Sequence, residues 1–143
     1  MNVSARVANS TQLVFCKENV NPDLVTRLLD LDPSNSVKVG DPAQNENGHR
    51  YSSHLGIWKL DLPNATPDDP VEDQIGKWIE LLQPRLKALR QLKELGYSPY
   101  LDCMAKTRSL SLCIEPELLQ QLGELNIALS IWLYEPSVMA TTS

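Results

Sequence analysis

SLSLCIEPELLQQLGELNIALSIWLY, residues 109–134, decides the fold. Its opening alternates: Leu110, Leu112 and Ile114 on one side, Ser109, Ser111 and Cys113 on the other. That period of two is the mark of a strand with one buried face. Pro116 then suits the first turn of a helix and Glu117 its positive end. Leu118, Leu119, Leu122 and Leu125 follow at helical spacing. From Ile127 to Tyr134 the alternation returns, with Leu129, Ile131 and Leu133 facing away from Ala128, Ser130, Trp132 and Tyr134. Strand, helix and strand in so short a run predict an α+β domain.

The elements upstream fit that reading. Pro99 to Ala105 predicts a strand, and a turn through 106–108 makes Ser109 to Ile114 its hairpin partner. Before it runs a long amphipathic segment whose apolar stripe is Val71, Ile75, Trp78, Ile79, Leu82, Leu86 and Leu89. Asp69 is placed to cap it, Pro70 to begin it, and Glu72 to complete a capping box. Pro84 predicts a kink or a split, and Gly96 a stop. Ile57 to Leu62 reads as a strand, with Trp58, Leu60 and Leu62 as its core face. At the N-terminal end a strand over Thr11 to Lys17 leads to a helix capped by Asn21, begun by Pro22 and stopped by Pro33.

Two segments resemble each other: NPDLVTRLLDL from Asn21 and EPELLQQLGEL from Glu115. Each follows a strand and precedes a strand with an Ile-Trp pair, Ile57-Trp58 and then Ile131-Trp132. Two strand–helix–strand units suggest a ferredoxin-like plan with an inserted helix and strand. The expectation is a mostly antiparallel sheet of about five strands with helices mainly on one face. The 143 residues read as one domain, with a core over 11–134 and a tail, 135–143, that should fray.

Composition narrows the function. A formal charge of −5 argues against a nucleic-acid binder, which must neutralise phosphates. No apolar run reaches the length of a membrane span, and the first residues lack the apolar core of a signal peptide, so a soluble, cytoplasmic protein is expected. Cys16, Cys103 and Cys113 form no CxxC and read as small buried thiols in a reducing compartment.

One polar stretch stands out: GDPAQNENGHRYSSH, residues 40–54, inside a connection that runs from 32 to 55. Connections that long are uncommon in compact domains unless they are functional or disordered. This one holds both histidines, yet His49 and His54 lack the spacing of a zinc-binding helix pair, and no cysteine lies near them in sequence. No metal site and no cofactor is implied. The chain has no nucleophile elbow and no phosphate-binding glycine loop, which favours a non-enzymatic reading over an enzymatic one. Lys38, Arg50 and Tyr51 could grip an anion; with Asp41, His49, His54 and Trp58 they form the candidate ligand site, against the plainer reading of a solvated loop. On the outer face of the last strand, Trp132 and Tyr134, joined by Tyr100 from the preceding strand, form the candidate protein-binding surface. The plainer reading there is a face covered by the chain itself.

The order of signals has a likeness. A strand, then NPDLVTRLLDLDP, KVGDP, GIWKL, VEDQIGKWIELLQPRLKALRQL and LSLCIEPELLQQLGELNIALSIWLY, resembles the bacterial family known as domain of unknown function 4279, over roughly residues 11 to 134. The resemblance implies a small bacterial protein without an established reaction, loosely linked to immunity-type partners of toxins. It supplies no catalytic residues. The expected function is a non-catalytic interaction module, an immunity-type inhibitor or a homodimer, whose partner is another protein or a second copy. A small-ligand, anion-binding or enzymatic domain built on residues 38–58 is the alternative.

Overall fold

The computed structural model describes residues 9–106 and 112–134. In chain order the elements are β1 (Ser10–Lys17), α1 (Pro22–Leu29), β2 (Asn35–Val37), β3 (Pro42–Gln44), β4 (Arg50–Ser52), β5 (Gly56–Asp61), α2 (Val71–Leu82), a 3-10 turn (Gln83–Arg85), α3 (Leu86–Glu94), β6 (Tyr100–Lys106), α4 (Pro116–Glu124) and β7 (Ala128–Tyr134). The main sheet has the order β2-β5-β1-β6-β7, antiparallel except for the β6–β7 pair, and β3–β4 is a separate two-stranded ribbon. The fold is thus α+β with a mixed five-stranded sheet. No helix of the described residues is long and apolar enough to cross a membrane.

Register sorts the side chains into two faces. Leu13 pairs with Leu60 and Leu101, and Phe15 with Trp58. These residues, with Cys103 and Ala105, are buried beneath the helices with Val25, Leu29, Ile75, Trp78, Leu82 and Leu92. Phe15 and Trp58 meet edge to face at 5.7 Å and 81°. Polar groups in this core are paired. The Trp78 indole N–H donates to Thr11 Oγ1 at 2.8 Å, and the Thr11 hydroxyl donates to Gln74 Oε1 at 2.9 Å. The Gln74 amide nitrogen donates to the carbonyls of Asn9 and Asp69. Fully buried Gln74 therefore ties strand, helix and connector together with its whole amide engaged.

Local chemistry explains several boundaries. Asn21 caps α1, its side-chain oxygen accepting from the Asp23 N–H at 3.1 Å, and Pro22 occupies the first turn. The helix ends at Leu29, before Pro33, because Asp30 turns left-handed (φ 57°) and donates its N–H to the Thr26 carbonyl. Asp69 does not cap α2, whose N-cap is Pro70 with no side-chain cap bond. The Asp69 carboxylate instead accepts from the Thr66 N–H and Lys77, which hold it below its ordinary pKa, the Thr66 backbone bond foremost. Pro84 breaks the long helix into α2 and α3 as its ring chemistry requires. Beside it, Arg85 donates to the carbonyls of Leu29 (2.7 Å) and Leu81 (2.8 Å), a cation on two helix C-terminal ends. A Cβ at Gly56 would overlap the Val20 carbonyl, so glycine is obligatory where the turn after β1 crosses β5.

The ferredoxin-like plan is not borne out. The strands of the first unit, β1 and β5, are antiparallel direct neighbours, whereas a split strand–helix–strand unit needs parallel strands with another between them; the opening strand expected for the second unit, 109–114, lies partly outside the described residues. The Ile-Trp pairs also differ: Trp58 is fully buried, whereas Trp132 is 62% exposed. A different repeat is present. QLKELGY (91–97) and QLGELNI (121–127) end α3 and α4 in the same way. Gly96 and Asn126 are left-handed (φ 86° and 60°). They donate to Lys93 and Gly123, while Tyr97 and Ile127 donate to Leu92 and Leu122, both at 2.9 Å. These are paired Schellman caps, each feeding one of two neighbouring strands.

The stretch 32–55 is ordered into elements rather than a structureless loop. Its start forms edge strand β2, and residues 40–53 form the β3–β4 ribbon. The hairpin strand expected over 109–114 falls partly outside the described residues (109–111); Leu112, Cys113 and Ile114 are not in a strand. Leu112 and Ile114 do pack against the core. The tail 135–143 also lies outside the described residues.

Candidate functional site

The ligand-site candidates are spread along the ribbon and its flanks. Lys38 Nζ pairs with the Asp23 carboxylate at 2.8 Å, a bond that raises the lysine pKa, and the Lys38 N–H donates to Asp41 Oδ2 at 2.7 Å. Lys38 borders a shallow depression of about 280 Å³ with Val20, Asn21, Pro22, Asp23 and Val39. His49 sits at the ribbon's tip, its N–H donating to Asn45 Oδ1. Arg50 and Tyr51 are consecutive on β4, opposite Gln44 and Ala43, and so project to opposite sides of the ribbon. His54 is exposed beyond it. Trp58 lies in the core, its indole N–H donating to Thr26 Oγ1 at 3.0 Å. Lys38 and Asp41 are joined by a hydrogen bond, and among the described residues no side-chain hydrogen bond or ion pair links either of them to the other candidates. Among the described residues no group of three or more His, Cys, Asp or Glu is arranged to hold a metal.

The cysteines are not alike. Cys103 is buried, Cys16 half-buried and Cys113 exposed, which corrects the expectation of three buried thiols. Burial, and after it the Asp102 carboxylate, pushes the Cys103 thiol up to about 12.

The outer sheet face carries the aromatic candidates. Parallel pairing sets Tyr100 beside Ala128, Asp102 beside Ser130, Met104 beside Trp132, and Lys106 beside Tyr134. On the β1 side, Ser10 adjoins Met104, Gln12 adjoins Asp102, and buried Val14 adjoins Tyr100. Trp132 and Met104 are 62% and 42% exposed, side by side. The Trp132 indole N–H donates to Asp102 Oδ1 at 3.1 Å, fixing the ring across the strand. Tyr100 and Tyr134 are half-buried, and burial raises both phenol pKa values. Two apolar side chains at the surface, Met104 and the hydrogen-bonded Trp132, with polar Asp102 and Ser130 beside them, make a contact patch without nucleophile–base geometry. Asp102 belongs to no sequence motif. Its position between Tyr100 and Met104, at alternate residues on one face, was the available signal.

β7 adds a second property. Among the described residues it has a strand neighbour on one side alone, β6. Its sequence, ALSIWLY, carries no charge and no proline, the usual guards of an exposed edge.

These features define a small α+β domain with a helix-packed sheet face, an outer face bearing aromatics and, among the described residues, an edge strand without charge or proline. The chain belongs to the family described as a domain of unknown function (DUF4279), whose match spans residues 8–136. No curated protein and no solved structure matches it significantly.

Proposed function

We propose that the protein is a non-catalytic interaction module that engages another polypeptide through β7 and the adjoining side chains of Met104 and Trp132. The observation that carries this reading is Trp132: 62% exposed, hydrogen-bonded into a set orientation, on an uncharged edge strand. A tryptophan oriented before contact loses little entropy on binding and is a typical interface anchor. The free thiols suit a reducing cytoplasm, and an immunity-type inhibitor or a homodimer would each use such a surface. Partner capture and light scattering test the reading with wild type and Trp132→Ala side by side. The wild type should associate, with a partner or with itself, and the variant should do so at least tenfold more weakly. Equal behaviour of the two proteins would remove the reading.

A further inference from the structure

We infer that the partner is a second copy of this chain, joined by antiparallel pairing of β7 with β7 about a twofold axis at Ile131. This deepens the interaction reading and rests on it. Two observations specify the register, and a third permits the pairing.

The first is backbone direction. The Ala128 N–H donates to the Pro99 carbonyl, so Ala128 bonds inward to β6. Alternation then turns the N–H and C=O of Ser130 and Trp132 inward too, and those of Leu129, Ile131 and Leu133 outward. An antiparallel partner must match outward residues with outward residues. A twofold at Ile131 does so, pairing Ile131 with Ile131 and Leu129 with Leu133. Each of the three outward residues gives one donor and one acceptor, so six backbone bonds form across the axis. Moving the axis one residue either way leaves one of the three without a counterpart in the strand.

The second is side-chain size. In this register the non-hydrogen-bonded positions oppose Ser130 to Trp132 and Ala128 to Tyr134. These are the positions where side chains approach most closely, with Cα atoms about 4.5 Å apart. Small faces large at each of them. On the helix side, half-buried Leu129 and Ile131 and 39%-exposed Leu133 would cover one another. Shifting the axis to residue 132 would instead oppose Trp132 to itself.

The third is charge. Each copy carries −5, yet β7 carries none. The nearest acidic side chain on β6, Asp102, would stand at least three strand spacings from its symmetry mate. That is about 14 Å, beyond the ~10 Å screening length at 0.1 M salt. The two sheets would join into one continuous sheet of ten strands, near the upper limit for an open twisted sheet. A strand-edge contact is small for a protein interface, so a micromolar dimer is expected.

Sedimentation of the full chain over a concentration series should show a reversible rise from 16.0 kDa to twice that mass. Ser130→Trp, at a half-buried position on the outer face, should weaken the dimer at least tenfold by opposing one indole to another. In a Cys113→Ser background, Ile131→Cys should form a disulfide dimer under mild oxidation. Ala128→Cys should not, because its symmetry mate would be roughly 20 Å away along the strands. A chain that stays monomeric to about 1 mM overturns this inference, and so does a dimer indifferent to Ser130→Trp or to the position of the cysteine. If Trp132-dependent capture of a different, identified protein persists in a monomeric chain, the interaction reading survives and the second-copy assignment alone fails.

Discussion

Thr11→Val removes one oxygen and keeps the shape of the side chain. That oxygen accepts the Trp78 indole N–H at 2.8 Å and donates to Gln74 Oε1 at 2.9 Å. Thr11 is 4% exposed, and Trp78 and Gln74 are fully buried. The substitution leaves a donor and an acceptor stranded where no other side chain replaces the hydroxyl. Each stranded group costs about 1–3 kcal/mol, so the variant should lose about 2–6 kcal/mol. Domain stabilities are only about 5–15 kcal/mol, and at this chain length each kcal/mol moves Tm by about 4 °C. The melting temperature should therefore fall by about 8–24 °C. Urea unfolding followed by tryptophan fluorescence should show a lower midpoint with an unchanged slope, since the unfolded surface is the same. Gln74→Met in the Thr11→Val background should cost less than the sum of the single changes, because the stranded acceptor leaves with it. A Thr11→Val protein within ~0.5 kcal/mol of wild type, or strict additivity of the two changes, would refute the account of the core as a fully paired polar bridge.

Four further outcomes are expected. Gly56→Ala should destabilise by about 2–3 kcal/mol in the same urea assay, because its Cβ meets the backbone carbonyl of Val20 rather than a side chain that can move. The Cys103 thiol, raised to about 12, should resist a thiol reagent at pH 8 while exposed Cys113 reacts at once. Its folded pKa lies above the unfolded value, so its stabilising contribution is whole below ~8.5 and fades as pH climbs towards about 12; a Cys103→Ala variant should flatten that alkaline limb of the stability curve. Arg85→Lys should lose about 1–2 kcal/mol of stability, because an ammonium cannot reach both the Leu29 and the Leu81 carbonyls in the fork geometry of the guanidinium.

What the sequence revealed follows the range of the forces involved. Asn21-Pro22-Asp23 announces a helix start because capping acts over three residues, and the structure places the cap there. Pro84 and Gly96 are equally local, and both do what their chemistry dictates. The Ile-Trp pairs show where local reading ends. Ile57-Trp58 and Ile131-Trp132 are identical as dipeptides, yet one indole is in the core and the other at the surface. A strand's face is chosen by its neighbours' register, which no dipeptide contains. The proline-led likeness of 21–31 to 115–125 has no counterpart in the pairing of strands, whereas 91–97 and 121–127 share a helix end whose sequence signal is a glycine matched to an asparagine. The parallel pairing of β6 with β7 is likewise a long-range fact. The alternation in β7 nonetheless puts Trp132 and Tyr134 on one face, as the register does, whereas Tyr100 joins that face through the β6–β7 register, which alternation alone does not contain. For residues 40–54 the polar composition hid a ribbon, although Asn47-Gly48 is a common hairpin dipeptide.

The ribbon is joined to the body through a narrow neck. The Gly40 N–H donates to the Ser53 carbonyl, and the Ser53 N–H donates to the Asp41 carbonyl, both at 2.8 Å. Beyond that clamp every residue from Gln44 to Ser52 is exposed. Its tip is therefore a graft point: an epitope, a metal-binding hexamer or a fluorophore could replace 45–49 while the clamp holds the two strands at a fixed spacing. The arm would then carry whatever is built on it as a handle, leaving the sheet that bears Trp132 to be interrogated undisturbed.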